Sequence, residues 1–159
     1  MQGIEFEVVW SDQDVIEHRV RCSNGSFCGD TRMYSGHDDV PNAADVLSGF
    51  PLDANDSRTF ELGAFDPSTA GGGIHMRFYC VDSVGHAAVL VKLRADGCKS
   101  MGEAQSVCFY LPVEAGAIDS FVNQARSIGS TIGAKAHLHM ADHTVGWAQR
   151  WFTSTASIR

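Results

Sequence analysis

The sequence predicts an α+β domain: a curved, mainly antiparallel sheet of about six or seven strands, with two helices packed on it and a C-terminal helical appendage. Three observations carry that expectation. Segments of period-two hydrophobic alternation recur, turn residues separate them at roughly ten-residue intervals, and two stretches instead repeat apolar residues at helical spacing.

Ile4, Phe6, Val8 and Trp10 alternate with Glu5 and Glu7, and Ile16, His18, Val20 and Cys22 alternate with Glu17, Arg19 and Arg21. Both patterns are those of half-buried strands, and "SDQD" between them makes a hairpin. A third strand is expected around Phe27 to Tyr34, closed by "SGHDD". In "DDVPNAADVLSGFP", Pro41 suits a first turn and the aspartates suit a positive helix N-terminus. Val40, Ala43, Ala44 and Leu47 form an apolar stripe there, and Gly49 ends a short helix.

Four more strands are expected around Thr59 to Ala64, Ile74 to Val81, His86 to Leu93 and Gln105 to Leu111. The middle two form a hairpin through "DSVG". "LPVEAGAIDSFVNQARSIGS" predicts the second helix, with Pro112 near its start, Glu114 in its first turn, Ile118, Phe121, Val122, Ala125 and Ile128 on one side, and Gly129 as its stop.

The 159 residues fit one domain, 1–159, with a core of about 4–130 and an appendage of about 131–159. With 44% hydrophobic and 19% charged residues the composition is that of a folded globular chain. No stretch approaches the ~20 apolar residues of a membrane-spanning helix. "MQGIEFEVVWSDQD" has acids where a signal peptide has bases, and the odd cysteine set (Cys22, Cys28, Cys80, Cys98, Cys108) contains no C-x-x-C pair. A reducing cytoplasm is therefore the expected compartment, with the cysteines as free thiols.

Charge is uneven. The net −7 is concentrated in residues 37–66, where seven acids (Asp38, Asp39, Asp45, Asp53, Asp56, Glu61, Asp66) stand against Arg58 alone. Such a field disfavours nucleic acid as a ligand and suits a basic protein partner, with Asp38, Asp39, Asp45, Asp53 and Asp56 as the partner-binding residues.

"HLHMADH", residues 137–143, places three of the seven histidines and an aspartate together. If the segment is a strand, His137 and His139 share a face and His143 arrives from the next turn, giving three candidate metal ligands for a small metal-dependent hydrolase. The string looks like the HxHxDH signature of the metallo-β-lactamase superfamily. One extra residue separates its second histidine from "DH", however, and the 16 residues after His143 contain no His, Asp, Glu or Cys. The competing expectation is a terminal helix over 138–152, with His139 and His143 on its polar side. Trp147, Trp151 and Phe152 then need cover, either on their own domain or by pairing two chains into a homodimer.

The remaining chemistry has plain explanations. "AGGGI" lacks the lysine and the following helix of a phosphate loop, so a flexible approach to a strand is expected. Asp82 and His86 flank a turn, Cys28 and Cys108 have no activating neighbour, and His18 is expected as a hydrogen-bonded core histidine.

"FCGDTRMYSGHDDVPNAADVLSGFP", "FELGAFD", "IHMRFYCVDSVGHAAVLVKL" and "FYLPVEAGAIDSFVNQARSIG" together resemble small bacterial proteins of uncharacterised α+β families. Some of these accompany polymorphic toxins as immunity proteins. The similarity spans about residues 4 to 130 and brings no catalytic residue or cofactor with it. It implies a non-enzymatic cytoplasmic protein-binding domain of the immunity type, whose partner is a basic protein such as a nuclease toxin.

Overall fold

The computed structural model describes residues 1–66, 68–84, 86–96 and 104–142. The elements run in the order β1 (Gly3–Ser11), β2 (Ile16–Ser23), β3 (Cys28–Ser35), α1 (Asp39–Leu47), β4 (Ser57–Gly63), β5 (Gly73–Cys80), β6 (His86–Arg94), β7 (Ser106–Glu114), α2 (Ala115–Arg126) and β8 (Lys135–His139). Strands therefore form close to every stretch where alternation predicts one. The α+β class holds.

The expected single curved sheet does not form. The strands make two four-stranded antiparallel sheets, ordered β3-β2-β1-β8 and β4-β5-β6-β7. The physical reason lies at β3 and at the far end of the chain. After β3 the polypeptide leaves through α1, and β4 begins a new sheet instead of pairing with β3. The backbone edge of β3 is met by the Gly72 N–H, which donates to the Arg32 carbonyl at 2.7 Å. β8, which the sequence assigned to a helical appendage from residue 138 onward, returns to pair with β1, Leu138 opposite Ile4 and His139 opposite Gly3. The rest of the expected terminal helix, with His143, Trp147, Trp151 and Phe152, lies outside the described residues.

One core serves both sheets. Ile4, Phe6 and Val8 of β1 and Ile16, Val20 and Cys22 of β2 point inward, as do Met76 and Phe78 of β5 and Val89 and Val91 of β6. α2 lays Ile118, Phe121, Val122 and Ala125 onto this core, with the Phe121 ring 5.9 Å from that of Phe6. α1 buries the predicted Val40, Ala43, Ala44 and Leu47. Pro112 sits in β7 and not at the start of α2; β7 is an edge strand, where a missing N–H is tolerated.

The glycine run has a packing role. A Cβ on Gly72 would lie 2.0 Å from Thr31 Oγ1 and 2.3 Å from the Arg94 carbonyl, so only glycine lets β3 approach the second sheet here. Among the described residues, no helix is long and apolar enough to cross a membrane.

The outward face of the first sheet is an ion-pair lattice. Arg21 binds Glu5 and Glu7, Arg19 binds Asp30, Arg32 binds Glu17, and Lys135 lies 3.5 Å from Glu5 and 3.6 Å from Glu7.

Candidate functional site

α1 and β4 enclose a groove of about 420 Å³. Its floor comes from Ala43, Val46, Phe60 and Leu62, Tyr34 at the end of β3 forms one wall, and Asp39, Asn42 and Glu61 stand at its rim. Val46 is 43% and Tyr34 44% exposed, so apolar and aromatic surface faces solvent directly beside carboxylates. The lining follows helical spacing: Asp39, Asn42 and Val46 recur at three- and four-residue intervals on the side of α1 away from its buried stripe. Asp39 is held in place because its Oδ2 accepts the Gly36 N–H at 2.6 Å.

The other four aspartates do not share that groove. Asp38 is the N-cap residue of α1, and Asp45, two turns further on, pairs with Arg126 of α2 at 2.7 Å. Asp53 accepts the Asn55 N–H at 2.8 Å, and Asp56 accepts the Leu52 N–H at 2.7 Å. Asp56 also pairs with Arg58 at 2.7 Å, and that bond is the main reason its carboxyl lies below the usual range. The acids thus surround α1 and its following loop. Glu61, Tyr34 and Val46 complete the groove but were not singled out by the sequence. Val46 had a legible signal, since it is a large apolar residue outside the helix's apolar stripe.

Arg58, the one base in the acidic segment, is committed elsewhere. Its Nη1 donates to the carbonyls of Val46 at 3.0 Å and Ser48 at 2.7 Å, and its guanidinium lies 5.5 Å from the Phe50 ring centre. It caps the C-terminal end of α1 and leaves Asp39 and Glu61 uncompensated by that cation.

The histidines of "HLHMADH" divide. His137 and His139 lie on edge strand β8 and share its outward face, with ring centres 3.9 Å apart. The His137 N–H donates to Gln124 Oε1 of α2 at 2.9 Å. Burial, followed by the neighbouring His139, lowers the His137 pKa, while Glu5 acts in the opposite direction. Its Nε2 is buried and has no hydrogen-bond partner. His143 lies outside the described residues. Among the described residues no three His, Cys, Asp or Glu side chains form a group that could hold a metal ion.

No family model, curated protein or solved structure matches the chain.

The remaining candidates lie apart from the groove. Asp82 accepts the N–H groups of Val84 and His86 inside the β5–β6 turn and bonds the His86 ring at 2.5 Å. That bond is the leading cause of its lowered pKa. Cys22, Cys28, Cys80 and Cys108 are free thiols, and burial pushes Cys22 up to about 12. His18 departs from expectation: it is 1% exposed, yet neither ring nitrogen has a hydrogen-bond partner.

Proposed function

We propose that this is a non-enzymatic protein-binding domain whose α1–β4 groove receives a basic, partly apolar segment of a partner. The observation that carries the reading is the juxtaposition of Asp39 and Glu61 with the exposed apolar surface of Val46 and Tyr34 and the half-buried Phe60. Apolar floor gives contact area, and the carboxylates select cationic side chains and speed encounter. Among the described residues β4 is the edge strand of its sheet, so an incoming extended segment also meets backbone that no described strand uses. A basic toxin is the partner class that the sequence resemblance implies, which would make the domain an immunity-type protein.

The test uses a peptide of alternating lysine and leucine as probe, followed by NMR on the whole chain. The reading expects shifts concentrated at Val46, Phe60 and Glu61, weakened by salt and abolished by Asp39→Lys with Glu61→Lys. Shifts spread over the surface, or unchanged by that double reversal, would overturn it.

A further inference from the structure

We propose that the outward face of the second sheet is the docking surface for residues 143–159 of this same chain, with Trp147, Trp151 and Phe152 covering Tyr79, Leu90 and Tyr110.

The two sheets present different outward faces. Ion pairs fill that of the first, whereas the second turns Tyr79, Leu90 and Tyr110 away from the core that takes Phe78, Val89, Val91 and Leu111. Tyr110 is 47% exposed, and Tyr79 and Leu90 are half-buried. In register, Ala88 lies between Tyr79 and Pro112, and Leu90 lies between Arg77 and Tyr110. The two tyrosine rings meet edge to face across β6, with 6.4 Å between their centres. Beside them Ala88 is buried although it stands outside the core. Aromatic and apolar surface is thus gathered on the β7 side of this face. Arg77, 5.7 Å from the Tyr79 ring centre, adds a cation on which an indole can stack.

The course of the chain selects the occupant. After β8 the Ala141 N–H donates to the Pro112 carbonyl at 2.8 Å, so the polypeptide leaves the first sheet and arrives at the edge of β7, level with Ala88 and Tyr79. That edge is closed on one side by Asn24 of the β2–β3 turn, which donates to the Tyr110 carbonyl at 3.2 Å, and on the other β7 ends where α2 begins. The inward face carries the core, so the outward face is the open surface beside Asp142. The segment that follows brings Trp147, Trp151 and Phe152 and contains no Asp or Glu. Each such aromatic side chain buries roughly 150 to 250 Å² when covered. A four-stranded face is about 15 Å wide, and residues 143–152 span that distance even at a helical rise of ~1.5 Å per residue. β4, which carries the groove, is the opposite edge of this sheet, and neither proposal depends on the other.

The full chain carrying Trp10→Phe leaves Trp147 and Trp151 as its two tryptophans. Acrylamide should quench their emission at least about threefold less in the folded protein than in the same chain unfolded in urea. Leu90→Lys with Tyr110→Lys should raise quenching towards the unfolded value, and Tyr110→Lys alone, at the more exposed position, should move it the same way. Arg32→Ala, on the outward face of the first sheet, should leave it unchanged. The protection should also be independent of protein concentration. Tryptophans as quenchable folded as unfolded, or protection that survives in folded Leu90→Lys/Tyr110→Lys protein, would overturn the assignment. Protection that appears only as concentration rises would overturn it too, since the occupant would then be a second copy of the chain.

Discussion

Arg58 donates to the carbonyl of Ser48 at 2.7 Å, joining β4 to the end of α1. The same guanidinium reaches the Val46 carbonyl and Asp56, so one side chain satisfies a helix terminus and neutralises one of the acids around it. Arg58→Ala should destabilise the fold by about 2 kcal/mol, the usual scale for losing charge-assisted bonds. Arg58→Lys should recover only part of this, because an ammonium cannot reproduce the fork. Urea unfolding of the two variants checks the order.

His18 should make the protein acid-sensitive. Burial pulls its pKa from 6.5 down to about 4, with Asp39 acting weakly in the opposite direction. Because the folded state holds the proton less readily than the unfolded chain, stability should fall as pH drops from about 6.5 towards 4. The loss from this residue is about 3 kcal/mol, complete below the folded pKa. His18→Leu should flatten that part of the pH–stability curve and cost little at neutral pH, since two unpartnered polar atoms leave the core. A variant curve parallel to wild type would refute the role.

Gly72→Ala should be among the most damaging single-methyl additions. Its Cβ would overlap Thr31 Oγ1 and the Arg94 carbonyl, and the second of these is backbone that cannot turn away. A loss of about 3 kcal/mol is expected from such overpacking. Gly116→Ala, where a Cβ meets nothing within 4 Å, is the matched control and should be neutral or slightly stabilising within α2.

Thiol labelling should separate the cysteines. Cys28 and Cys108 are exposed, whereas Cys22 is buried with its pKa near 12, well above the ordinary value of 9.0. In the native protein Cys22 should react about a thousandfold more slowly than a free thiol, and faster only as unfolding exposes it. Mass spectrometry of pulse-labelled peptides reads this directly.

Much of the local structure was legible because alternation and helical stripes report which side of an element is buried. Ile4, Phe6 and Val8 face the core as their spacing implies, and so do Val40, Ala43, Ala44 and Leu47. Partner choice was not legible. Nothing in the β3 or β4 patterns says whether those strands lie side by side, and that choice separates one sheet from two. β8 was obscured because its last two residues, Leu138 and His139, also open the expected terminal helix over 138–152, with His139 on its polar side, and a five-residue strand carries too few alternations to outweigh it. The acidic segment was visible as charge, but charge does not reveal direction. Only Asp39 of the five aspartates turned out to line the groove: Asp38 stands at the N-cap position of α1, Asp45 pairs with Arg126 of α2, and Asp53 and Asp56 are held in the loop that follows the helix.

The place of β8 beside β1 has a consequence for how the chain is made. β1 lies between β2 and β8, so its second backbone edge is filled only when residues 135–139 arrive, more than a hundred positions later. On the ribosome, residues 3–35 can form their two hairpins early while that edge stays open through most of synthesis. An unfilled edge bearing Ile4, Phe6 and Val8 is adhesive. Crowded translation should therefore be the stage at which this protein most needs a chaperone.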